Sequence, residues 1–158
     1  MSELTRCFDR VVVINLPSRR DRYDEMGEQL RCVGLGWDSP QVTHFAAERP
    51  AAADGFPSIG AHGCFLSHLG AIEQAIAAGA DSLLLLEDDC NFRKDFDARM
   101  PAINAALRAS DWSLFYGGWH LHGVEPPRAA RDRPIVEVSP EQPLWLAHCV
   151  AVRGPAMK

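Results

Sequence analysis

Three consecutive acids, Glu87-Asp88-Asp89, stand at the end of the apolar run Ser82-Leu83-Leu84-Leu85-Leu86. Carboxylate oxygen suits hard cations such as Mg2+ and Mn2+, which in phosphate chemistry take one or two protein carboxylates and leave their other positions to phosphate and water. Glu87-x-Asp89 fits that sparse arrangement. If the strand persists through the acids, alternation points Glu87 and Asp89 one way and Asp88 the other. The plain alternative is an acidic turn that is solvated or caps the following element. A second candidate is Asn15-Leu16-Pro17-Ser18-Arg19-Arg20-Asp21-Arg22, where arginines at a helix start can bind a phosphate or carboxylate with help from free N–H groups. Cations there oppose the helix dipole, and ordinary exposed arginines read equally well on this segment alone.

A third candidate is Gly60-Ala61-His62-Gly63-Cys64-Phe65-Leu66-Ser67-His68. Ser67 and His68 fall near the start of an amphipathic helix, off its apolar stripe, where a histidine is more often a hydrogen-bonded structural residue than a base. Cys64 lies beside His62 and His68, but no spacing supports a Cys/His nucleophile. Trp119-His120-Leu121-His122 can present two metal ligands on one strand face, or can be a polar loop. His148 reads as a satisfied interior histidine.

These residues need elements to position them. Val11 to Leu16 is β-branched, apolar and bounded by Pro17, which predicts a buried strand. Ser18 can then cap a helix with Asp21 three residues on, and Tyr23, Met26, Leu30 and Val33 recur at helical spacing before Gly34. Val42, Thr43 and Phe45 suggest a second strand, followed by a Pro/Gly/Ala-rich loop to about Gly60 that is long enough to suspect function. Leu66, Leu69, Ile72 and Ile76 form one apolar stripe on a helix ending at Gly79. The run into Glu87 has no polar alternation, as in a strand covered on both faces in the middle of a parallel sheet, and in open α/β sheets ligands bind at the carboxyl edge.

Beyond it, Pro101 suits the first turn of a helix over residues 100–109, and Trp112 to Tyr116 reads as a fourth strand. Residues 123–134 form an exposed Pro/Arg-rich excursion, and Ile135 to Val138 and Leu144 to Val152 read as strands. Strands alternating with helices predict a single α/β domain over residues 1–158. The final Gly154-Pro155-Ala156-Met157-Lys158 looks like the opening of a helix that is not continued, so the chain is expected to be a fragment or to end early.

With 158 residues, 47% of them hydrophobic, one core is expected. A net charge of −5 gives non-specific nucleic-acid binding no support. No segment approaches the roughly 20 apolar residues that span a bilayer, and Met1 to Asp9 is too polar for a signal-peptide core, so a soluble cytoplasmic protein is expected, with peripheral membrane association left open. Cys7, Cys32, Cys64, Cys90 and Cys149 are odd in number and lack CxxC spacing, which points to buried reduced thiols.

Taken together, VINLPSRRDR, GAHGCFLSHLGAIEQAI and LLLLEDDC, in this order, resemble glycosyltransferase family 25, which includes bacterial lipooligosaccharide galactosyltransferases and collagen galactosyltransferases. LWLAHCVAVRGPAMK also looks like the family's later strand and the opening of its next helix, although a small Gly-Thr/Ala run and an aromatic commonly stand where this chain has Leu146-Ala147-His148-Cys149. The resemblance implies a GT-A-like (Rossmann-like) nucleotide-sugar-binding sheet flanked by helices and truncated at its C-terminus. It implies transfer of a hexose, often galactose from a UDP-sugar, to a glycan, lipooligosaccharide or hydroxylysine acceptor, assisted by Mn2+ or Mg2+.

By that similarity Asn15, Leu16, Arg19 and Arg22 fall in the donor-nucleotide region, and Ser67 and His68 match the SH pair lining the donor site. Glu87, Asp88 and Asp89 match the acidic motif, with Asp89 the direct metal ligand and Glu87 acting through water or on the ribose. Two other readings stand beside it: a catalytically silent nucleotide-sugar-binding or interaction domain that lost the acceptor half, and a metal-dependent phosphohydrolase using the same acids.

Overall fold

The computed structural model describes residues 2–118, 120–121, 133–139, 141, 144–145 and 147–157. His122 and most of the 123–134 segment lie outside them. In chain order the elements are α1 (Glu3–Cys7), β1 (Arg10–Asn15), α2 (Arg20–Cys32), β2 (Val42–Ala46), α3 (Ile59–Ala77), β3 (Ser82–Glu87), α4 (Phe96–Arg108), β4 (Leu114–Tyr116), β5 (His120–Leu121), β6 (Leu144–Trp145) and β7 (Cys149–Arg153), closed by a 3-10 turn at Gly154–Met157. Five strands form one sheet in the order β2-β1-β3-β7-β4. β1 runs parallel to β2 and β3, whereas β7 is antiparallel to β3 and β4. The result is a mixed α/β sheet of Rossmann-like form.

The central place of β3 explains its run of leucines. Leu84 and Leu86 pack with Val11 and Val13 of β1, Met26 and Leu30 of α2, and Met100 and Leu107 of α4. Leu83 and Leu85 face the other way, onto Val12, Ile14, Ala71 and Ala75 of α3, and Val150 and Val152 of β7. Each fully buried leucine stabilises by about 1.5–3 kcal/mol, against about 0–1 kcal/mol for an exposed ion pair. The core therefore holds the acid-bearing end of β3 more firmly than its surface contacts do. At the opposite end, Asp9 Oδ2 accepts from the Asp81 and Ser82 amides at 2.9 and 3.0 Å, and Ser82 Oγ accepts from the Asp9 amide at 3.0 Å. That reciprocal pair fixes β3 beside β1.

Several expectations change. α3 starts at Ile59, capped by Ser58 Oγ on the Ala61 amide, so Ser67 and His68 lie in mid-helix. Its buried face is not the leucine and isoleucine stripe. Gly63, Ser67, Ala71 and Ala75, spaced by four, are buried, while Leu69 and Ile76 are 42% and 38% exposed. Small residues win because α3 lies close to its neighbours: a Cβ on Gly63 would meet the Glu48 carbonyl oxygen at 2.7 Å, and one on Gly70 would meet the Phe45 ring at 2.8 Å.

The residue preceding α2 is Arg19, without a side-chain cap, rather than Ser18. α4 begins at Phe96, which puts Pro101 inside it. Ile135 to Val138 carries no strand, and the Leu144–Val152 run is divided between β6 and β7. Cys32 and Cys64 are exposed rather than buried. α1, unsignalled by periodicity, seats Leu4 and Phe8 in the core.

Overpacking the small face should be costly and trimming the exposed stripe should not. Ala71→Leu is expected to destabilise by about 1–3 kcal/mol, and Leu69→Ala to stay within about 0.5 kcal/mol of the parent. Urea denaturation of both variants checks this, and the reverse ranking contradicts the assignment of faces.

Candidate functional site

The chain leaves β1 for β2 on one side and then crosses through α3 to β3 on the other, so strand order reverses at β1. Register brings Ile14 of β1 opposite Glu87 of β3, and α2 and α3 cover opposite faces of the sheet. A crevice opens between the carboxyl ends of the two strands, where open α/β sheets take their ligands. It has a volume of about 550 Å3 and is lined by Leu16, Ser18 and Arg19 after β1, Ala47, Glu48 and Arg49 after β2, Gly60, Gly63, Cys64, Ser67 and His68 of α3, and Glu87 and Asp88.

Strand parity distributes the polar groups. Glu87 shares the side of Leu83 and Leu85 and therefore meets α3: its Oε1 lies 3.7 Å from His68 Nε2 and 3.7 Å from Cys64 Sγ. Asn15 shares the side of Val11 and Val13 and is 2% exposed. Its amide donates to Asp88 Oδ2 at 2.7 Å and to the Arg19 carbonyl at 3.2 Å, tying the acidic turn to the start of α2.

The strand does not persist through the acids. It ends at Glu87, where a turn closed by the Cys90 amide on the Glu87 carbonyl at 3.0 Å carries Asp88 and Asp89 toward α2. Arg22 Nη1 lies 3.5 Å from Asp88 Oδ1 and 3.4 Å from Asp89 Oδ2. The pairing of Glu87 with Asp89 expected from alternation is thus replaced. Glu87 and Asp88 line the crevice, whereas Asp89, 54% exposed, borders an adjacent concavity with Arg22 and Asp88.

Ser67 is fully buried. It donates to the Gly63 carbonyl at 2.6 Å and accepts from the Glu48 amide at 2.8 Å, latching the β2–α3 loop to the helix. The missing Cβ of Gly63 is what permits the loop's close approach. His62 stacks on Phe56 at 4.8 Å with its Nδ1 2.8 Å from the Ala52 carbonyl oxygen, so it staples the loop. Burial, followed by the charge and hydrogen bonding of Glu87, pushes the Cys64 thiol above its ordinary value.

Arg19 grips Asp21 at 3.0 Å (Nε–Oδ1) and 2.7 Å (Nη2–Oδ2), which lowers the Asp21 carboxyl to about 2. Both groups are exposed and screened by solvent, so the pair is weak and yields readily to a stronger anion. Among the described residues Arg49 makes no ion pair. Glu48 and Arg49 are lining residues that motif reading passed over, and the suspiciously long loop was the signal available for both.

A Rossmann-like α/β domain with an acid-edged crevice at its strand reversal is consistent with a glycosyltransferase fold. The relatives agree. The chain is 29% identical to procollagen galactosyltransferase 1 of Danio rerio over 93% of its own length, and 28% identical to inactive glycosyltransferase 25 family member 3 of Homo sapiens over the same share. It is 30% identical to a glycosyltransferase 25 family member of Anopheles gambiae over 70% of its length. The chain is a homologue of glycosyltransferase family 25. It spans 28% of the length of each of the first two relatives and 22% of the third. No family model matches it.

If Asn15 is the strut between β1, α2 and the acidic turn, Asn15→Ala should destabilise the chain by about 1–3 kcal/mol, the cost of leaving buried polar partners unmet. Urea midpoints of the variant and parent test this, and coincident curves contradict the role.

Proposed function

We propose that the chain is the donor-binding portion of a hexosyltransferase that takes galactose, or a related hexose, from a UDP-sugar for transfer to a glycan or lipooligosaccharide hydroxyl. One observation carries the reading: a crevice of about 550 Å3 at the strand reversal is lined by the carboxylates Glu48, Glu87 and Asp88 together with the arginines Arg19 and Arg49. Its size suits a small-molecule ligand, for which about 300–1,000 Å3 is usual.

In this reading Arg19 and Arg49 bind the diphosphate. Ile59 and Gly60 place the start of the 19-residue α3 on the crevice, so the positive end of that helix favours the same anion. Asn15 keeps the acidic turn and the Arg19 backbone in fixed relation, and Ser67 holds Glu48 and Arg49 over the site. Glu87 and Asp88 offer carboxylate oxygen from the crevice wall and Asp89 from the adjoining concavity, and carboxylate oxygen is the donor type that Mn2+ and Mg2+ prefer. Bound there, the ion would neutralise charge on the departing nucleoside diphosphate. Arg22 now satisfies Asp88 and Asp89 electrostatically, which makes Glu87 the carboxylate with the weakest partners.

Among the described residues no helix is long and apolar enough to cross a membrane. All five cysteines are free, which suits a reducing compartment and supports a cytoplasmic setting. A second reading has a specific observation behind it. A relative named inactive is as similar as one named a galactosyltransferase, 28% against 29%, so a silent nucleotide-sugar-binding domain fits the same similarity.

Calorimetric titration with UDP-galactose, UDP-glucose and GDP-mannose, with and without Mn2+, tests the proposal. Metal-dependent binding of a UDP-sugar is expected, and turnover with a glycan acceptor separates the enzyme from the silent domain. Glu87→Gln and Asp89→Ala should each weaken the metal-dependent binding by about tenfold, or about 1.4 kcal/mol. No nucleotide binding under any condition contradicts the proposal, and unchanged binding in both variants contradicts the ligand assignment.

A further inference from the structure

The sequence leaves Cys64 without a recognisable chemical partner, but the fold supplies two. Cys64 and His68 are four residues apart on α3, and both face Glu87 at the end of β3. Cys64 Sγ and His68 Nε2 each lie 3.7 Å from Glu87 Oε1, and one donor atom from each of the three side chains lies within 4.8 Å of the other two.

The imidazole is already oriented for a single task. Its Nδ1 donates to the Cys64 carbonyl at 2.9 Å, which leaves the lone pair on Nε2. Nε2 is buried, faces Glu87 and has no hydrogen-bond partner. A buried polar atom in that condition is costly to keep, so its retention calls for a ligand. A histidine anchored through one nitrogen to a backbone carbonyl, with the other nitrogen free, is the arrangement that metal-ligating imidazoles take. A direct His68–Glu87 ion pair explains the geometry less well, because 3.7 Å exceeds the roughly 2.7–2.9 Å of a charge-assisted hydrogen bond.

We propose that Cys64, His68 and Glu87 form a three-ligand site for a thiophilic divalent ion of the zinc class, its fourth position open to the crevice. A tetrahedral ion with bonds of about 2.0 Å to nitrogen and oxygen and about 2.3 Å to sulfur separates its ligands by about 3.3–3.6 Å. The two separations from Glu87 Oε1, each 3.7 Å, need only a slight contraction, and the Cys64–His68 pair lies within the 4.8 Å that spans the group. Three protein ligands with one open position is the coordination of catalytic rather than structural zinc. Thiolate and imidazole select against the oxygen-seeking Mg2+ and Mn2+, so this site differs in kind from the carboxylate set proposed for the donor's ion. Glu87 belongs to both sets, which makes the two ions alternatives rather than neighbours.

The test is titration of the full chain with Co2+, a spectroscopic stand-in for Zn2+, without nucleotide. One equivalent should produce a sulfur-to-cobalt charge-transfer band and the intense visible bands of a tetrahedral ion, and Zn2+ should abolish both. Cys64→Ser should lose the charge-transfer band, and His68→Ala should weaken Zn2+ binding at least tenfold, with far-UV circular dichroism establishing that each variant is folded. A spectrum that stays that of the hydrated ion, or a charge-transfer band that survives in Cys64→Ser, overturns the proposal. Nucleotide is absent throughout, so failure here leaves the donor-binding proposal intact, and failure of nucleotide binding leaves this site intact.

Discussion

Burial of β3 on both faces is the constraint on which the other features rest. Leu83 through Leu86 supply apolar surface to the α2/α4 layer and to the α3 layer by turns, and nothing polar in the strand could satisfy both. That packing fixes the β1–β3 register, and the register sets Glu87 opposite Ile14, next to Asn15. A slip of one residue would turn every leucine to the other face and send Glu87 away from α3. The crevice is therefore a by-product of core packing, and its polar residues sit where the strands run out.

Where the polar residues go is decided by parity and by one turn. Odd and even positions of β1 and β3 alternate between two helical layers, so Asn15 works on the α2 side and Glu87 on the α3 side. The turn after Glu87 breaks that alternation and gives Asp88 and Asp89 to Arg22 and Asn15. One acidic triplet thereby serves two concavities of different character. The wall formed by α3 is lined with small residues, Gly60 and Gly63, which leave room for the loop and for a ligand beside Cys64 and His68.

Much of the fold was legible because apolar runs and β-branched residues report burial directly. β1, β2, α2 and β3 read from VVVINL, the Tyr23–Val33 spacing, Val42–Phe45 and the leucine run. α3 was harder. Its leucines and isoleucines mark a helix correctly but point to the wrong face, since close packing selects glycine, serine and alanine, which carry no hydropathy signal. α1 is a single turn with only Leu4 and Phe8 to announce it. At the site, Arg19, His68, Glu87 and Asp88 were legible as polar residues after buried strands or on α3, but the separation of Glu87 from Asp89 was not. It depends on a backbone turn, and three acids in a row do not encode where a strand stops. The meeting of Cys64 with Glu87 is a tertiary contact across 23 positions that no local spacing reveals.

The crevice between the carboxyl ends of β1 and β3 is the nucleotide site we propose. Amide chemical-shift mapping by NMR as UDP is added in the presence of Mg2+ checks that placement, because it locates binding without requiring turnover. The expected result is a cluster of shifts at residues 14–19, 47–49, 59–68 and 87–89. Shifts confined to another face of the sheet, or none at saturating UDP, would contradict it.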